Sequence, residues 1–234
     1  MKSSVEEIRE HFDAVVDRFS NEETGQATAV DSALVLQIIA DSIAARHPDA
    51  AMLCDVGCGA GNFTVRILRR LPHMQCTLID LSRPMLDRAQ ERIRSLGGTI
   101  IEARQEDIRT SPLGSGKYDI ITAAAVLHHL RSREEWSAVL RKIYSALTPG
   151  GSFWYWDLVR HEDAALEKIQ WARYRQYLIG LKDESYQQGV FGQIEKEDTP
   201  ESTTFILKTL FETGFRNVDI VHKNGPFAAL LGIK

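Results

Sequence analysis

Apolar residues along this chain follow two alternating rhythms. Between residues 51 and 156, short runs of consecutive apolar residues are separated by longer segments whose apolar positions recur every three to four residues. The runs predict strands at 51–56, 76–80, 99–103, 118–123 and 152–156. The periodic segments predict helices over 62–71, 84–96 and 134–147. Ser82 offers an N-cap, Gly97-Gly98 a stop, and Pro149-Gly150-Gly151 an end to the last of them. Upstream, Leu34, Ile38 and Ile39 share one face of a helix over 31–45, with Asp31 as N-cap and Pro48 past its end.

Apolar strands alternating with amphipathic helices imply right-handed βαβ units, hence an α/β fold with a parallel sheet and helices on both faces. Ligands of such sheets sit at the carboxyl ends of the strands, near the point where strand order reverses. Beyond Asp157 the rhythm changes. Residues 162–179 predict a helix with Trp171, Tyr174 and Leu178 on one stripe, and 182–199 read as polar loops or short helices. Pro200 opens a helix through Thr213. Segments 217–222 and 226–233 flank Lys223-Asn224-Gly225, a hairpin that gives the sheet an antiparallel edge.

Composition narrows the classes. At 234 residues, with 44% apolar and 26% charged residues, the chain fits a single α/β domain with additions and needs no disulfide or metal for stability. A net charge of −4 gives no electrostatic case for nucleic-acid or acidic-membrane partners. The charged N-terminal stretch has no apolar signal core, and no run approaches the roughly 20 apolar residues of a membrane helix. Cys54, Cys58 and Cys76 form no CxxC pair, so free thiols in a reducing cytoplasm are expected, with no metal site.

The chemistry lies after the strands. The first ends in Asp55-Val56-Gly57-Cys58-Gly59-Ala60-Gly61-Asn62, where alternate glycines let the backbone turn sharply and approach a ligand, ahead of a helix N-terminus. Asn62 stands where the dinucleotide fingerprint GxGxxG needs its last glycine, and a P-loop Gly-Lys-Ser/Thr is absent. The second strand ends at Asp80, suited to accept from two ribose hydroxyls. The third is followed by Glu106-Asp107-Ile108, an acid for an adenine amino group beside an aliphatic side chain.

These motifs, with Tyr118-Asp119-Ile120-Ile121 and Leu147-Thr148-Pro149-Gly150-Gly151, resemble the class I S-adenosylmethionine-dependent methyltransferases over about residues 50–158. The resemblance implies a Rossmann-like, seven-stranded, mostly parallel sheet with an antiparallel last strand, and S-adenosyl-L-methionine as cofactor, giving S-adenosyl-L-homocysteine. It implies that Asp55, Gly57, Cys58, Gly59 and Gly61 line the methionine portion and Asp80 takes the ribose. Leu81 and Met85 would touch the adenine, Asp107 and Ile108 would fix its edge, and Ala123 and Ala124 would follow strand four beside the methionine moiety. In-line methyl transfer needs alignment, exclusion of water and, for some acceptors, a base. His128, in Leu127-His128-His129-Leu130, is the base candidate; the alternative is that both histidines shape the pocket wall or hydrogen-bond the backbone. Asp157 faces the same region.

The N-terminal segment (1–48), carrying His11, Phe12 and Phe19, is expected to act as a lid. Residues 157–200, with Trp171, Tyr174 and Tyr177, would shape the substrate pocket, all within one domain over 1–234. Arg66, Arg69 and Arg70 read as a solvated helix face. The later part of the chain is similar to carboxy-S-adenosylmethionine synthase, an enzyme of tRNA wobble-uridine modification that clamps an extra carboxylate with an arginine ahead of its final helix. Here no arginine stands between Arg175 and Arg216. Residues 157–234 hold ten Lys+Arg against twelve Asp+Glu, with no basic tract for RNA. The reading is a cytoplasmic, metal-independent methyltransferase of a small-molecule acceptor. The synthase and a non-catalytic cofactor-binding protein remain alternatives, and a homodimer is left open.

Overall fold

A computed structural model describes residues 2–22 and 24–234. Seven strands form one sheet: β1 (Met52–Val56), β2 (Gln75–Asp80), β3 (Thr99–Gln105), β4 (Tyr118–Ala124), β5 (Leu147–Leu158), β6 (Arg216–Asn224) and β7 (Phe227–Ile233). Their order is β3-β2-β1-β4-β5-β7-β6. β1 to β5 pair in parallel, and β7 runs antiparallel to both β5 and β6. The antiparallel strand therefore lies inside the sheet, and β6 forms its edge. Strand order reverses between β1 and β4, which opens the crevice at their carboxyl ends.

The two faces bury different side-chain sets. Leu53, Leu78, Ile120 and Trp154 pack with Leu36, Ile39 and Ile43 of α3 (Ser32–Arg46), Leu68 of α4 (Asn62–Leu68), and Leu86 and Ile93 of α5 (Arg83–Ser95). Cys54, Val56, Ile121, Phe153 and Tyr155 pack with Trp136, Leu140 and Ile143 of α6 (Arg133–Ala146) and with Ile206 and Leu210 of α9 (Thr203–Thr213). Alternation along strands of a doubly covered sheet accounts for this division.

Three predicted details change. Asp31 holds the N-cap position of α3 but makes no side-chain cap bond: its backbone is left-handed (φ 60°), and its carboxylate accepts from His222 Nε2 (3.0 Å) and Asn224 Nδ2 (2.8 Å) of the hairpin. β5 starts at Leu147, immediately after α6, because Leu147 pairs with Tyr118 before Pro149-Gly150-Gly151 shifts the register. Residues 182–199, read as loops or short helices, form α8 (Glu184–Glu197) after α7 (Ala164–Leu181). Asp183 caps α8 through Tyr186 N (2.7 Å), and Tyr186, Val190, Phe191 and Ile194 pack one face on the core. At the N-terminus, α1 (Val5–Ala14) and α2 (Val16–Ser20) cover the crevice, α1 opening on a Ser4/Glu7 capping box. Arg66, Arg69 and Arg70 are occupied by the Glu22 carbonyl, the Glu22 carboxylate and Asp41 respectively.

Candidate active site

The turn after β1 is held open by its glycines. Gly57 has φ +65°, and a β-carbon there would lie 2.4 Å from Val126 Cγ2. Gly59 (φ +50°) faces open space, so a side chain there would fill the cavity instead. Above this turn lie three cavities that share walls. The first, about 150 Å³, is lined by Asp55, Gly57, Cys58, Gly59, Asp80, Leu81, Met85 and Ala124 among others. The second, about 240 Å³, adds Asp107, Ile108 and Arg109. The third, about 140 Å³, is lined by His128, Asp157, Tyr174, Gln193, Glu197 and Asp198, with Phe12 and Phe19 from the N-terminal helices. His129 lines all three.

Carboxylates set the polarity of the first cavity. Asp55 is buried and accepts from Thr64 Oγ1 (2.5 Å) and Thr122 Oγ1 (2.7 Å); burial pushes its carboxyl up to about 6. Asp80 accepts from Gly59 N (2.7 Å) and Ser82 N (2.8 Å), which ties the glycine turn to the end of β2. Burial raises its carboxyl to about 6 despite those bonds. Asp107 is gripped by Arg109, whose Nε lies 3.0 and 2.9 Å from its two oxygens; that pairing outweighs burial and lowers its pKa.

At the third cavity, Asp157 organises the turn after β4. One of its oxygens accepts from the backbone N–H groups of Val126 (3.1 Å), Leu127 (2.8 Å) and His128 (3.2 Å). The other meets His128 Nδ1 and Leu158 N. Ala125, just before, is left-handed at φ 55°, an outlier stabilised by the bond from its N–H to the Trp156 carbonyl (2.7 Å). His128 Nε2 then lies 3.5 Å from Asp198 Oδ1. Burial lowers the His128 pKa, but the Asp157 and Asp198 carboxylates outweigh it and push the ring up to about 9. A ring raised in this way is less suited to act alone as the base expected at His128. His129 behaves oppositely. Burial and the neighbouring His128 charge push it well down, Nδ1 sits 3.2 Å from the Glu197 carbonyl, and Nε2 has no partner among the described residues.

Ten of the twelve positions named for the cofactor line the first two cavities. Gly61 and Ala123 do not. Gly61, φ +80°, sits against Ala89 of α5 at the start of α4, and Ala123 is sealed in the core. Sequence reasoning missed Ala125, Val126, Glu197 and Asp198 and took His129 only as wall. The approach of α8 to the end of β4 has no local sequence signal. Tyr174 and Tyr177 hold the loop before α3, donating to the carbonyls of Thr28 (2.9 Å) and Ala27 (2.7 Å).

The cradle fits the cofactor that the turn suggests: a glycine with positive φ facing open space, a strand-end carboxylate beside it, and an apolar pocket next to Ile108. A methyltransferase-domain family model matches residues 54–153. An uncharacterised methyltransferase of Mycobacterium tuberculosis (strain ATCC 25618 / H37Rv) is 35% identical over 98 residues, covering 42% of this chain and 46% of that protein. The chain thus spans about half the length of that relative. Carboxy-S-adenosyl-L-methionine synthase of Hydrogenovibrio crunogenus is 26% identical over 195 residues, 79% of this chain and 73% of that one. Magnesium protoporphyrin IX methyltransferase from Synechocystis PCC 6803, solved with bound S-adenosylhomocysteine, shares the fold at a TM-score of 0.64. It is 17% identical and covers 98% of this chain and 99% of that one. Over residues 54–153 the chain thus matches a methyltransferase domain, and these likenesses support a class I S-adenosylmethionine-dependent methyltransferase.

Proposed function

We propose that the chain binds S-adenosylmethionine across the first two cavities and directs its methyl group to a small acceptor held in the third. The observation that carries this is the shared wall: Ala125, Trp156, His129, Phe12 and Phe19 border both the first and third cavities. The cofactor supplies an activated methyl group on a sulfonium, so the protein's task is alignment and exclusion of water. Gly57 and Gly59 give close backbone approach, and Asp80 offers its carboxylate to the ribose hydroxyls. Leu81, Met85 and Ile108 supply apolar surface for the adenine, and Asp107, braced by Arg109, supplies its polar edge. Phe12 and Phe19 close the site from the N-terminal helices, which serve as the lid. On the acceptor side, His128, His129 and Asp198 form the polar part of the cavity wall.

Calorimetric titration with S-adenosylmethionine tests this reading. Asp80→Ala should weaken binding about 10–100-fold, the loss of hydrogen bonds to a charged acceptor; unchanged affinity would remove the assignment. A second reading, an enzyme acting with a carboxylated cofactor, is favoured by the likeness to the synthase over 79% of the chain. Arg18 in the third cavity could meet a carboxylate, in place of the arginine missing between residues 175 and 216. Mass spectrometry of the ligand that copurifies with the protein separates the two.

A further inference from the structure

We propose that His128, His129 and Asp198 form a binding site for one divalent transition-metal ion, opening on the acceptor cavity. Asp198 Oδ1 lies 3.5 Å from His128 Nε2 and 3.4 Å from His129 Nδ1, and the three atoms fall within 4.8 Å of one another. Those separations exceed good N–H···O bonds, which run to roughly 3.2 Å. They match the spacing of neighbouring ligands around a tetrahedral ion, roughly 3.3–3.6 Å for bonds of roughly 2.0–2.2 Å. The Asp198 side chain is only 10% exposed, yet its carboxylate has no closer polar partner among the described residues. A bound cation would satisfy it.

The surrounding shell supports the same assignment. His128 donates Nδ1–H to Asp157, which four backbone N–H groups hold in place, so its Nε2 is the ligating atom once the cation displaces the proton that the carboxylates favour there. A carboxylate behind a ligating histidine is the usual outer-shell arrangement. On His129, an ion at Nδ1 replaces the contact with the Glu197 carbonyl and leaves Nε2–H facing the cavities. Asp157, Glu197 and Asp198 together supply negative charge, while the Arg131 guanidinium is turned to the carbonyls of Glu197 and Ser3 and to Thr199. Two imidazoles and one carboxylate select ions such as Zn²⁺, Co²⁺ or Fe²⁺ over Mg²⁺ or Ca²⁺. Three protein ligands leave a position for the acceptor, whose hydroxyl or thiol would become more acidic beside the ion.

The test uses the full-length, untagged chain, stripped with a chelator and titrated with Zn²⁺ against a chromophoric competitor. One ion per chain is expected, with Mg²⁺ unable to displace it. X-ray absorption should show nitrogen and oxygen ligands and no sulfur, which excludes Cys54, Cys58 and Cys76. Asp157→Asn should weaken the ion about 10–100-fold, the effect of an outer-shell change, and Asp198→Asn should weaken it more. No stoichiometric binding, sulfur ligation, or full affinity in Asp198→Asn would overturn the proposal. His128→Gln decides the matter should Asp198→Asn not fold. S-adenosylmethionine titrated into the same samples reports on the methyltransferase reading separately, because neither Asp198 nor His128 lines the first two cavities.

Discussion

Gly57 and Gly59 stand two residues apart with similar backbone angles, and the structure gives them opposite liabilities. Both have positive φ, so alanine at either position incurs a left-handed penalty of about 1–2 kcal/mol. At Gly57 the new β-carbon would also lie 2.4 Å from Val126 Cγ2 and 2.5 Å from Val126 Cβ. Overpacking of that kind adds about 1–3 kcal/mol. Gly57→Ala should therefore lose about 2–5 kcal/mol and lower Tm by roughly 4–20 °C, at roughly 2–4 °C per kcal/mol for a chain of this size. At Gly59 nothing lies within 4 Å. Gly59→Ala should lower Tm by less than about 8 °C on the same conversion, while its methyl group occupies the cofactor's path and abolishes S-adenosylmethionine binding. Thermal unfolding followed by circular dichroism, with calorimetric titration of the folded variants, separates the effects. Adding Val126→Gly to Gly57→Ala should recover the steric part, which a double-mutant cycle isolates. Equal Tm losses in the two single variants, or tight cofactor binding by Gly59→Ala, would refute the reasoning.

Burial raises the folded-state pKa values of Asp55 and Asp80 to about 6, above the ordinary aspartate value of 3.8. Their contribution to stability of the ligand-free chain is full at low pH and is lost as pH rises through about 6. Cofactor affinity should run the other way, weakening as pH falls through about 6 because protonated Asp80 loses acceptor capacity; calorimetry from pH 5 to 8 reads the slope. Tyr174→Phe removes the bond to the Thr28 carbonyl and should cost about 0.5–1.5 kcal/mol, with faster proteolysis of the loop before α3; unchanged cleavage would remove its anchoring role. Arg131 bonds to the carbonyls of Ser3 (2.9 Å) and Glu197 (2.6 Å), joining the N-terminal helix to α8. Arg131→Ala should destabilise by about 1.5–3 kcal/mol and speed cofactor release in stopped-flow; an unchanged release rate would separate the lid from this contact.

Most of the sheet was legible because burial on both faces imposes an apolar run on each parallel strand and the helices between carry a strong period. The misses have local causes. Asp31 has the chemistry of an N-cap, but its carboxylate is taken by His222 and Asn224, about 190 residues away, a tertiary contact that outweighs the cap. Residues 182–199 read as loops or short helices because the stretch is polar. Its helical state rests on the Asp183 cap and on one face, Tyr186 to Ile194, that finds the core only after α7 has packed.

The part of the site proposed for the cofactor was readable for a different reason. Its contacts come from backbone geometry and strand ends, so Gly57, Gly59 and Asp80 are fixed by a turn that spans few residues. The part proposed for the acceptor is assembled from distant residues: His128 and His129 after β4, Asp157 at the end of β5, and Glu197 with Asp198 at the end of α8. Each residue type is ordinary alone, and the spacing of about 70 residues between the histidines and Asp198 matches no ligand motif. The backbone bond from Thr199 N to the His128 carbonyl (2.6 Å) brings the two segments together, so the juxtaposition depends on the tertiary fold. A site held by such long-range contacts can change its acceptor by altering α8 or the N-terminal helices while the glycine turn and Asp80 stay as they are. On the proposed reading, specificity resides in the segments whose sequence was least informative, α8 and the N-terminal helices.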